Sequence, residues 1–438
     1  MRRRTSPRRT PKPQPIGPVQ TFHVDGLTHE AKGVARLQGK VTFIDGALPG
    51  ETVTAQVTKT GRRFDEAILT SIIDPSPHRV EPACPHFTVC GGCSFQHLSD
   101  EKQLAAKQDW LKGQLRNLIT TQELEPLSDA PFGYRRRARI AIDRIKGDIV
   151  LGFRGKASSD IVSISQCVVL TDGLQKVFLA LKNTLVNDEL AGALGHIELL
   201  EDTKGVSVLF RLTASISETL EAAWDAWAEK ERIALYWQAP KASKAEVAIA
   251  KMRHYDLGDL TLSYHPQDFI QINASMNQKM VAQAMDWLRP NKQDTVLDLF
   301  CGVGNFSLPL AQQAESVIGV EVQDSMVVAA RENARLNGLE NAQFIAADLT
   351  KPVNQELFKT KITKVLLDPP RAGAFEFLDS VIKIGPTQIL YVSCNASTLA
   401  RDAEYLVAKG YRVERVSLMD MFPQTSHVET MMLLHKKK

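Results

Sequence analysis

Three groups of residues near the end of the chain have the types and spacing for covalent chemistry. Cys394 stands between Ser393 and Asn395, directly after the apolar run Ile389-Leu-Tyr-Val392. That pattern reads as a strand delivering a thiol to its C-terminal end, where ligands sit in open α/β sheets. About twenty residues upstream, Asp368-Pro-Pro-Arg371 ends a second strand, Val365-Leu-Leu367, because proline cannot continue a ladder. Glu429 precedes the apolar run Met431-Met-Leu-Leu434, where an isolated acid is costly unless it is paired or functional. His427 lies two residues before it and shares its face if both belong to that strand. A nucleophilic thiol with an acid–base partner is the chemistry these residues fit. A lone cysteine at a strand end is most often a small buried apolar group, so the surrounding motif carries the weight.

The elements that position these groups need a large scaffold. At 438 residues the chain is too long for one ordinary core and predicts two or three domains. A hydrophobic content of 44% with 24% charged residues is that of a soluble globular protein. No segment approaches the ~18 uninterrupted apolar residues of a membrane span. The N-terminus lacks the charged-then-apolar pattern of a secretory signal, and a cytoplasmic location is expected. The net charge of +3 is less informative than its distribution. Residues 1–15 hold Arg2, Arg3, Arg4, Arg8, Arg9 and Lys12 with four prolines and no acid, a disordered basic arm suited to tethering RNA phosphates.

Five short β-type runs follow between residues 16 and 76: Gln20–Val24, Gly33–Leu37, Lys40–Ile44, Thr52–Lys59 and Phe64–Ile73. They predict a small OB-like barrel. Residues 100–120 read as a helix with an acidic start. Residues 132–260 mix strands (Arg137–Asp143, Val150–Phe153, Val206–Leu212) with amphipathic helices near 173–187 and 216–232. Trp224 and Trp227, three apart on the second helix, are expected in its core face. The segment Gly133-Tyr-Arg-Arg-Arg-Ala-Arg139 offers four arginines and an aromatic, a possible phosphate-and-stacking surface or simply a solvated basic strand. From about residue 262 the pattern turns to βαβ and predicts a doubly wound, mainly parallel sheet. Its strands are expected at 295–300, 316–321, 343–347, 364–367, 388–393, 412–419 and 427–434.

Within that region, Val296-Leu-Asp-Leu-Phe-Cys-Gly-Val-Gly-Asn-Phe306 is a strand running into a glycine turn and a helix. Gly302 and Gly304 let the backbone approach a ligand. Glu321, nineteen residues after Gly302 at the end of the next strand, can accept from a ribose diol. A nucleotide-type ligand follows, with NAD still open. Two details favour S-adenosylmethionine: Ser307 stands where a third glycine would be, and Asp298 suits a cationic ligand better than a pyrophosphate.

Six cysteines are present, and clustered cysteine in a cytosolic chain means metal or catalysis before disulfides. Cys84, Cys90 and Cys93 supply three thiolates, and Cys167 is the remaining cysteine outside the C-terminal half. Four thiolates suit tetrahedral zinc or an iron–sulfur cluster, and the three-plus-one layout leans towards iron. His86 and His97 lie close by in sequence but are not needed as ligands.

Asp-Pro-Pro-Arg-x-Gly followed by Tyr-x-Ser-Cys-Asn-x-x-Thr resembles the signature of the RNA uracil-5-methyltransferases. Phe422-Pro-Gln-Thr-Ser-His-Val-Glu-Thr430 resembles that family's Pro-x-Thr-x-His-Val-Glu element. Residues 41–53 resemble a TRAM domain, an RNA-binding barrel. Cys-x5-Cys-Gly-Gly-Cys-x2-Gln-His resembles the [4Fe–4S] segment of TRAM-bearing members, and residues 296–306 resemble the methyltransferase motif I. The resemblance runs from about residue 16 to 434.

It implies a multidomain α/β chain. The expected parts are an arm at 1–15, a TRAM barrel at 16–76, a mixed α+β central domain with an iron–sulfur cluster at 77–261, and a Rossmann-like methyltransferase domain at 262–438. Cys394 is implied as nucleophile and Glu429, ahead of His427, as the base. Gln271, Phe300, Asn305, Glu321, Asp348 and Asp368 are implied at the S-adenosylmethionine site, with Asp348 at the adenine edge. Cys84, Cys90, Cys93 and Cys167 are implied as cluster ligands. The implied substrate is large-subunit (23S) ribosomal RNA, with uridine 1939 as target and the enzyme acting as a monomer. The rivals are a transfer-RNA enzyme of the same chemistry, which usually lacks barrel and cysteine triplet, and a non-catalytic RNA-binding assembly factor, which would not need Cys394, Glu429 and Glu321 intact.

Overall fold

The computed structural model of the protein describes residues 17–119, 124–145, 148–246, 251–349, 351 and 361–437. The predicted basic arm lies outside the described residues. The first five strands are β1 (Val19–Leu27), β2 (Lys32–Leu37), β3 (Lys40–Asp45), β4 (Thr52–Thr60) and β5 (Phe64–Asp74). They close into a barrel in the order β1-β2-β3-β5-β4, with β3 and β5 parallel. Alternation sends Phe22, Val24, Ala35, Ile44, Val53, Ala55 and Ala67 inward, a small core for a small barrel. Buried Glu51 takes both ends of a fork from Arg79 (2.6 and 2.8 Å) and ties the barrel to the chain that leaves it.

Helix α1 (Asp100–Gln114) follows the cysteine-rich loop. Its Leu111 and the following Leu115 pack with Leu297, Leu299, Val365 and Leu367 of the C-terminal sheet. Although α1 falls within the predicted central domain, it belongs by packing to the C-terminal one.

The central layer is a six-stranded sheet ordered β11-β10-β9-β6-β7-β8. Its strands are β6 (Arg137–Ile145), β7 (Asp148–Arg154), β8 (Ile161–Ser163), β9 (Leu194–Asp202), β10 (Gly205–Leu212) and β11 (Ala234–Gln238). Helices α2 (Asp172–Leu185) and α3 (Glu218–Lys230) cover one face through Leu174, Phe178, Leu181 and Trp224. Trp224 is buried there and Trp227 packs beside it, as their spacing predicts. Strands β12 (Arg253–Leu257) and β13 (Leu260–Tyr264) form a hairpin whose Tyr255, Leu257, Leu262 and Tyr264 join the C-terminal core. The packing boundary therefore lies some ten residues before 262.

The remaining elements are α4 (Ala274–Leu288), β14 (Thr295–Leu299), α5 (Ser307–Gln313), β15 (Ser316–Glu321), α6 (Asp324–Leu336), β16 (Ala342–Ala346), β17 (Lys364–Leu367), α7 (Leu378–Ile384), β18 (Gln388–Ser393), α8 (Ala396–Ala408), β19 (Tyr411–Met419) and β20 (Glu429–Lys436). The sheet runs β16-β15-β14-β17-β18-β20-β19, parallel except for β20. Both faces are covered, so β14, β17 and β18 are near-continuous apolar runs. No described helix is long and apolar enough to cross a membrane.

Candidate active site

The site forms where strand ends meet. In β18 the ladder pairs Ser393 with Thr430 of the antiparallel β20, so the next residues outward, Cys394 and Glu429, flank the same edge. Because β20 enters the sheet where its parallel neighbours leave it, a residue at its start joins residues at their ends. Asp368 follows β17 at that edge, and Phe300 follows β14, left-handed at φ 65°. A non-glycine residue there signals a sharply turned strand exit.

Cys394 sits between β18 and α8. Asn395 caps that helix by accepting from the Ser397 amide (3.1 Å), and its Nδ2 donates to the Arg371 carbonyl (3.0 Å). Thr398 also donates to that carbonyl (3.2 Å). The thiol turn and the Asp-Pro-Pro-Arg turn are thus fastened together. Behind them, buried Asp402 accepts from Tyr391 (2.6 Å) and from the Ala374 amide (2.8 Å). Burial pushes the Cys394 thiol up, and the charges of Glu429 and Asp368 add to it while Arg371 opposes. Glu429 is pushed up to about 8 by burial and then by Asp368. Asp368 itself rises to about 7 through burial. Carboxyl groups poised this close to neutrality can exchange protons.

His427 differs from its predicted place. Strand β20 begins only at Glu429, so His427 lies outside the ladder, exposed, with its Nδ1 3.3 Å from an Arg371 guanidinium nitrogen. Arg371 was visible in the motif but had no predicted role; in the fold it lies beside both Cys394 and Glu429 in charge.

The adjoining glycine turn is built for a ligand. Asp298 is fully buried in β14, and its Oδ2 accepts from Ser307 (2.5 Å) while Oδ1 has no partner. Burial, with Asp368 and Glu321 nearby, holds it up at about 7. An acid left half-satisfied at the base of a turn is suited to a cation or donor from a ligand. Glu321 is clamped by the Gly302 amide (3.3 Å) and the Gln323 amide (3.0 Å), at the end of β15 as predicted. Asp348 pairs with Lys351 at 3.0 Å. Asn305 has its side chain in a reciprocal amide pair with Asn277 (2.9 Å each way), and Tyr255 donates to it as well. Its side chain therefore fixes the turn, leaving backbone atoms to face a ligand. Gln271 gives its carbonyl to Arg136 (2.9 Å). Cys301 is buried below the turn, with its thiol pushed well up by burial.

The segment 133–139 only partly makes the surface expected of it. Tyr134 is buried and donates to the Pro423 carbonyl (2.9 Å), and Arg136 is buried over the Tyr255 ring. Both bolt the central layer to the catalytic one. They alternate with Arg135, Arg137 and Arg139 on the other face of the strand.

Cys84, Cys90 and Cys93 line one cavity of about 360 Å³ with Cys167, which is distant from them in sequence. Cys93 is pushed up to about 12 by burial and by the other three thiols. The Gly92 amide donates to Cys90 Sγ at 3.4 Å, and the side-chain amide of buried Gln96 lies beside the Cys93 thiol and opposes its rise. Among the described residues no three His, Cys, Asp or Glu side chains converge as ligands of a single ion. His86 bonds Ser165 (2.8 Å), and His97 is buried against Phe87. Thr425 and His427 line the same cavity, which places it next to the loop leading into β20.

The model of the family described as tRNA (Uracil-5-)-methyltransferase matches residues 99–437, and that of the TRAM domain matches residues 13–70. The chain is 79% identical to the 23S rRNA (uracil(1939)-C(5))-methyltransferase RlmD of Marinomonas sp. (strain MWYL1), across 100% of both chains. It is 42% identical to the protein of that name from Aeromonas hydrophila, covering 95% of this chain and 96% of the other. In structure it is similar to the Pyrococcus abyssi tRNA (uracil-54, C5)-methyltransferase in complex with S-adenosyl-L-homocysteine. That match has a TM-score of 0.76 at 25% identity, over 95% of this chain and 100% of the other. A thiol and an acid at one sheet edge, a glycine turn beside them and a barrel in front agree with these matches, and the chain belongs to the tRNA (uracil-5-)-methyltransferase family, with a TRAM domain at its N-terminal end.

Proposed function

We propose that this chain transfers a methyl group from S-adenosylmethionine to carbon 5 of uridine 1939 in 23S ribosomal RNA. The observation that carries the reading is the meeting of Cys394 and Glu429 at the β18–β20 edge, one strand from the glycine turn. The relatives' names supply the RNA and the nucleotide.

Carbon 5 of uracil is a poor nucleophile. Addition of the Cys394 thiolate to carbon 6 makes an enolate with negative charge on carbon 5. Carbon 5 attacks the sulfonium methyl of S-adenosylmethionine, and as the carbon–carbon bond forms the methyl–sulfur bond breaks, leaving S-adenosylhomocysteine. Glu429 then removes the proton from carbon 5, and the thiolate leaves as the double bond reforms. Arg371, which lowers both Cys394 and Glu429, favours their ionised forms. Asp368 holds uracil and donor in register. Gln271, Phe300, Asn305, Glu321 and Asp348 surround the donor, with Glu321 on its ribose and Asn305 acting through its backbone. The target uridine must be unstacked to reach the thiol.

The four thiols that share one cavity hold a [4Fe–4S] cluster in this reading. A single zinc would draw its sulfurs to about 2.3 Å from one point, whereas a four-iron group takes thiolates spread around a larger volume. A donor amide on Cys90 and the Gln96 side-chain amide beside Cys93 suit a negatively charged sulfur centre. Held by these four cysteines, such a cluster would tie residues 84–93 to Cys167, and the methyl transfer would need no electrons from it. The protein acts as a cytoplasmic monomer in four parts: the arm, the barrel, the cluster-bearing layer and the methyltransferase sheet. Mapping 5-methyluridine in ribosomal and transfer RNA from a deletion strain tests the assignment. Loss at 1939 alone is expected, and loss confined to transfer RNA refutes it.

A further inference from the structure

The central sheet has a second charged site that the reaction leaves unexplained. Strand pairing sets Arg139 opposite Glu198 and Arg211 opposite His196, and alternation puts Arg137 on the same face. The reverse face, with Ala138, Ile140, Ile197 and Phe210, is sealed by α2 and α3. With Arg135 these arginines line a cavity of about 380 Å³, in which Glu198 is the single acid. Four guanidiniums against one carboxylate leave a net charge of +3 in a small concave space.

The site is rigidly built on one side and open on the other. Glu198 holds Arg137 at 3.1 Å and Arg211 at 3.3 Å, and Arg137 also donates to the Asp268 carbonyl (2.5 Å). Arg135 donates from Nε to the Arg137 carbonyl (3.0 Å), which leaves its terminal nitrogens to other partners. Exposed Arg139 has no ion pair among the described residues. Guanidiniums gathered in this way repel one another unless an anion bridges them, and their planar forks match phosphate. Arg135 and Arg139 also border the cavity that the four cysteines share with His427, and Arg137 is fixed to the segment that carries Gln271. The arginines thus neighbour the loop that leads into β20. A space of this volume is far too small for a duplex and fits the backbone of one strand.

We propose that Arg135, Arg137, Arg139 and Arg211 grip phosphodiesters of the single RNA strand beside the methylated uridine, an inference that rests on the RNA-methyltransferase reading above. The test uses the full-length protein with Arg139→Gln and Arg211→Gln combined. Lys176→Gln with Lys230→Gln, on the helices of the covered face, removes the same charge elsewhere. Binding of a 23S rRNA fragment is followed over a salt series. Each lost phosphate contact on a single strand should reduce the slope of log K against log salt by about 0.7, so the arginine pair should lose about 1.4 and the lysine pair nothing comparable. The loss should fall on KM for RNA, with S-adenosylhomocysteine binding intact as a check on folding. An unchanged slope in the arginine pair, leaving the face to an acidic protein, overturns the proposal. So does a fall in turnover at saturating RNA with the slope intact, which would make the arginines internal supports. Failure of the wild-type protein to methylate the fragment counts instead against the function proposed above.

Discussion

Replacing Glu429 by Gln keeps the shape of the side chain and removes its basicity. Methyl transfer onto carbon 5 does not need that base, but release does, so the reaction should halt at a covalent protein–RNA adduct. Loss of one positioned base is worth roughly 10²–10⁴-fold in rate, enough for the adduct to persist on a denaturing gel. The structure adds a pH signature. With Glu429 at about 8, roughly a tenth of it is ionised at pH 7, and release should climb about tenfold between pH 7 and pH 9. Glu429→Gln should lose that rise. The sign for stability is opposite: a carboxyl raised on folding favours the folded state below its unfolded value of 4.5 and loses this advantage as pH rises through about 8. The same ionisation that frees the base therefore weakens the fold. His427, outside the ladder and turned to Arg371, should be replaceable by Ala with release retained. Single-turnover assays with ordinary uridine RNA would separate the two. Adduct accumulating in His427→Ala, with rapid release in Glu429→Gln, would refute the assignment.

Three further outcomes follow from the geometry. Cys394→Ala should abolish methylation and covalent capture of 5-fluorouridine RNA together, and full trapping by that variant would remove Cys394 from its role. Anaerobically purified protein should be brown with about four irons per chain, and Cys93→Ser should bleach it; one tight zinc and no iron would decide the other way. Lys107, buried in α1, donates to Asp420 (2.7 Å) and to the Phe422 carbonyl (3.2 Å). Lys107→Ala should cost about 3–5 kcal/mol by leaving Asp420 buried and unpaired, while Lys107→Met with Asp420→Asn should cost far less, as thermal unfolding would show; a single-variant loss under about 1 kcal/mol would contradict it.

The sheet and the strand ends that carry Cys394 and Asp368 were legible because their signals are local. Strands buried on both faces are uninterrupted apolar runs, so the one acid inside β14, Asp298, announces itself. Cys394 is readable because a strand and a helix cap bracket it within a few residues. Count and spacing single out Cys84, Cys90 and Cys93 in the sequence, but only the fold puts Cys167 on the cavity that these three line. What stayed hidden depends on partners distant in sequence. That Asn277 and Tyr255 hold the Asn305 amide, leaving its backbone for a ligand, cannot be seen in the motif. Tyr134 and Arg136 look like a nucleic-acid surface until the strand's alternation turns them inward, towards Pro423 and Gln271. Arg211, on another strand, completes the arginine cavity and carries no local mark at all.

The start of β20 was misplaced for a related reason, and the cause bears on catalysis. The strand was expected from residue 427, but the N-terminal part of the chain captures the loop before it. The Ser94 and Phe95 amides both donate to the Gln424 carbonyl (2.9 and 3.1 Å), Gln103 bonds the Gln424 amide group (3.0 Å), and Lys107 and Tyr134 take Phe422 and Pro423. With its backbone groups bonded elsewhere, this loop cannot extend the ladder, and pairing begins only at Glu429. Glu429, the proposed base, therefore enters the sheet from a loop held by the cysteine segment and α1. Residues 94–107, remote in sequence from the reactive groups, set where the carboxylate sits against Cys394.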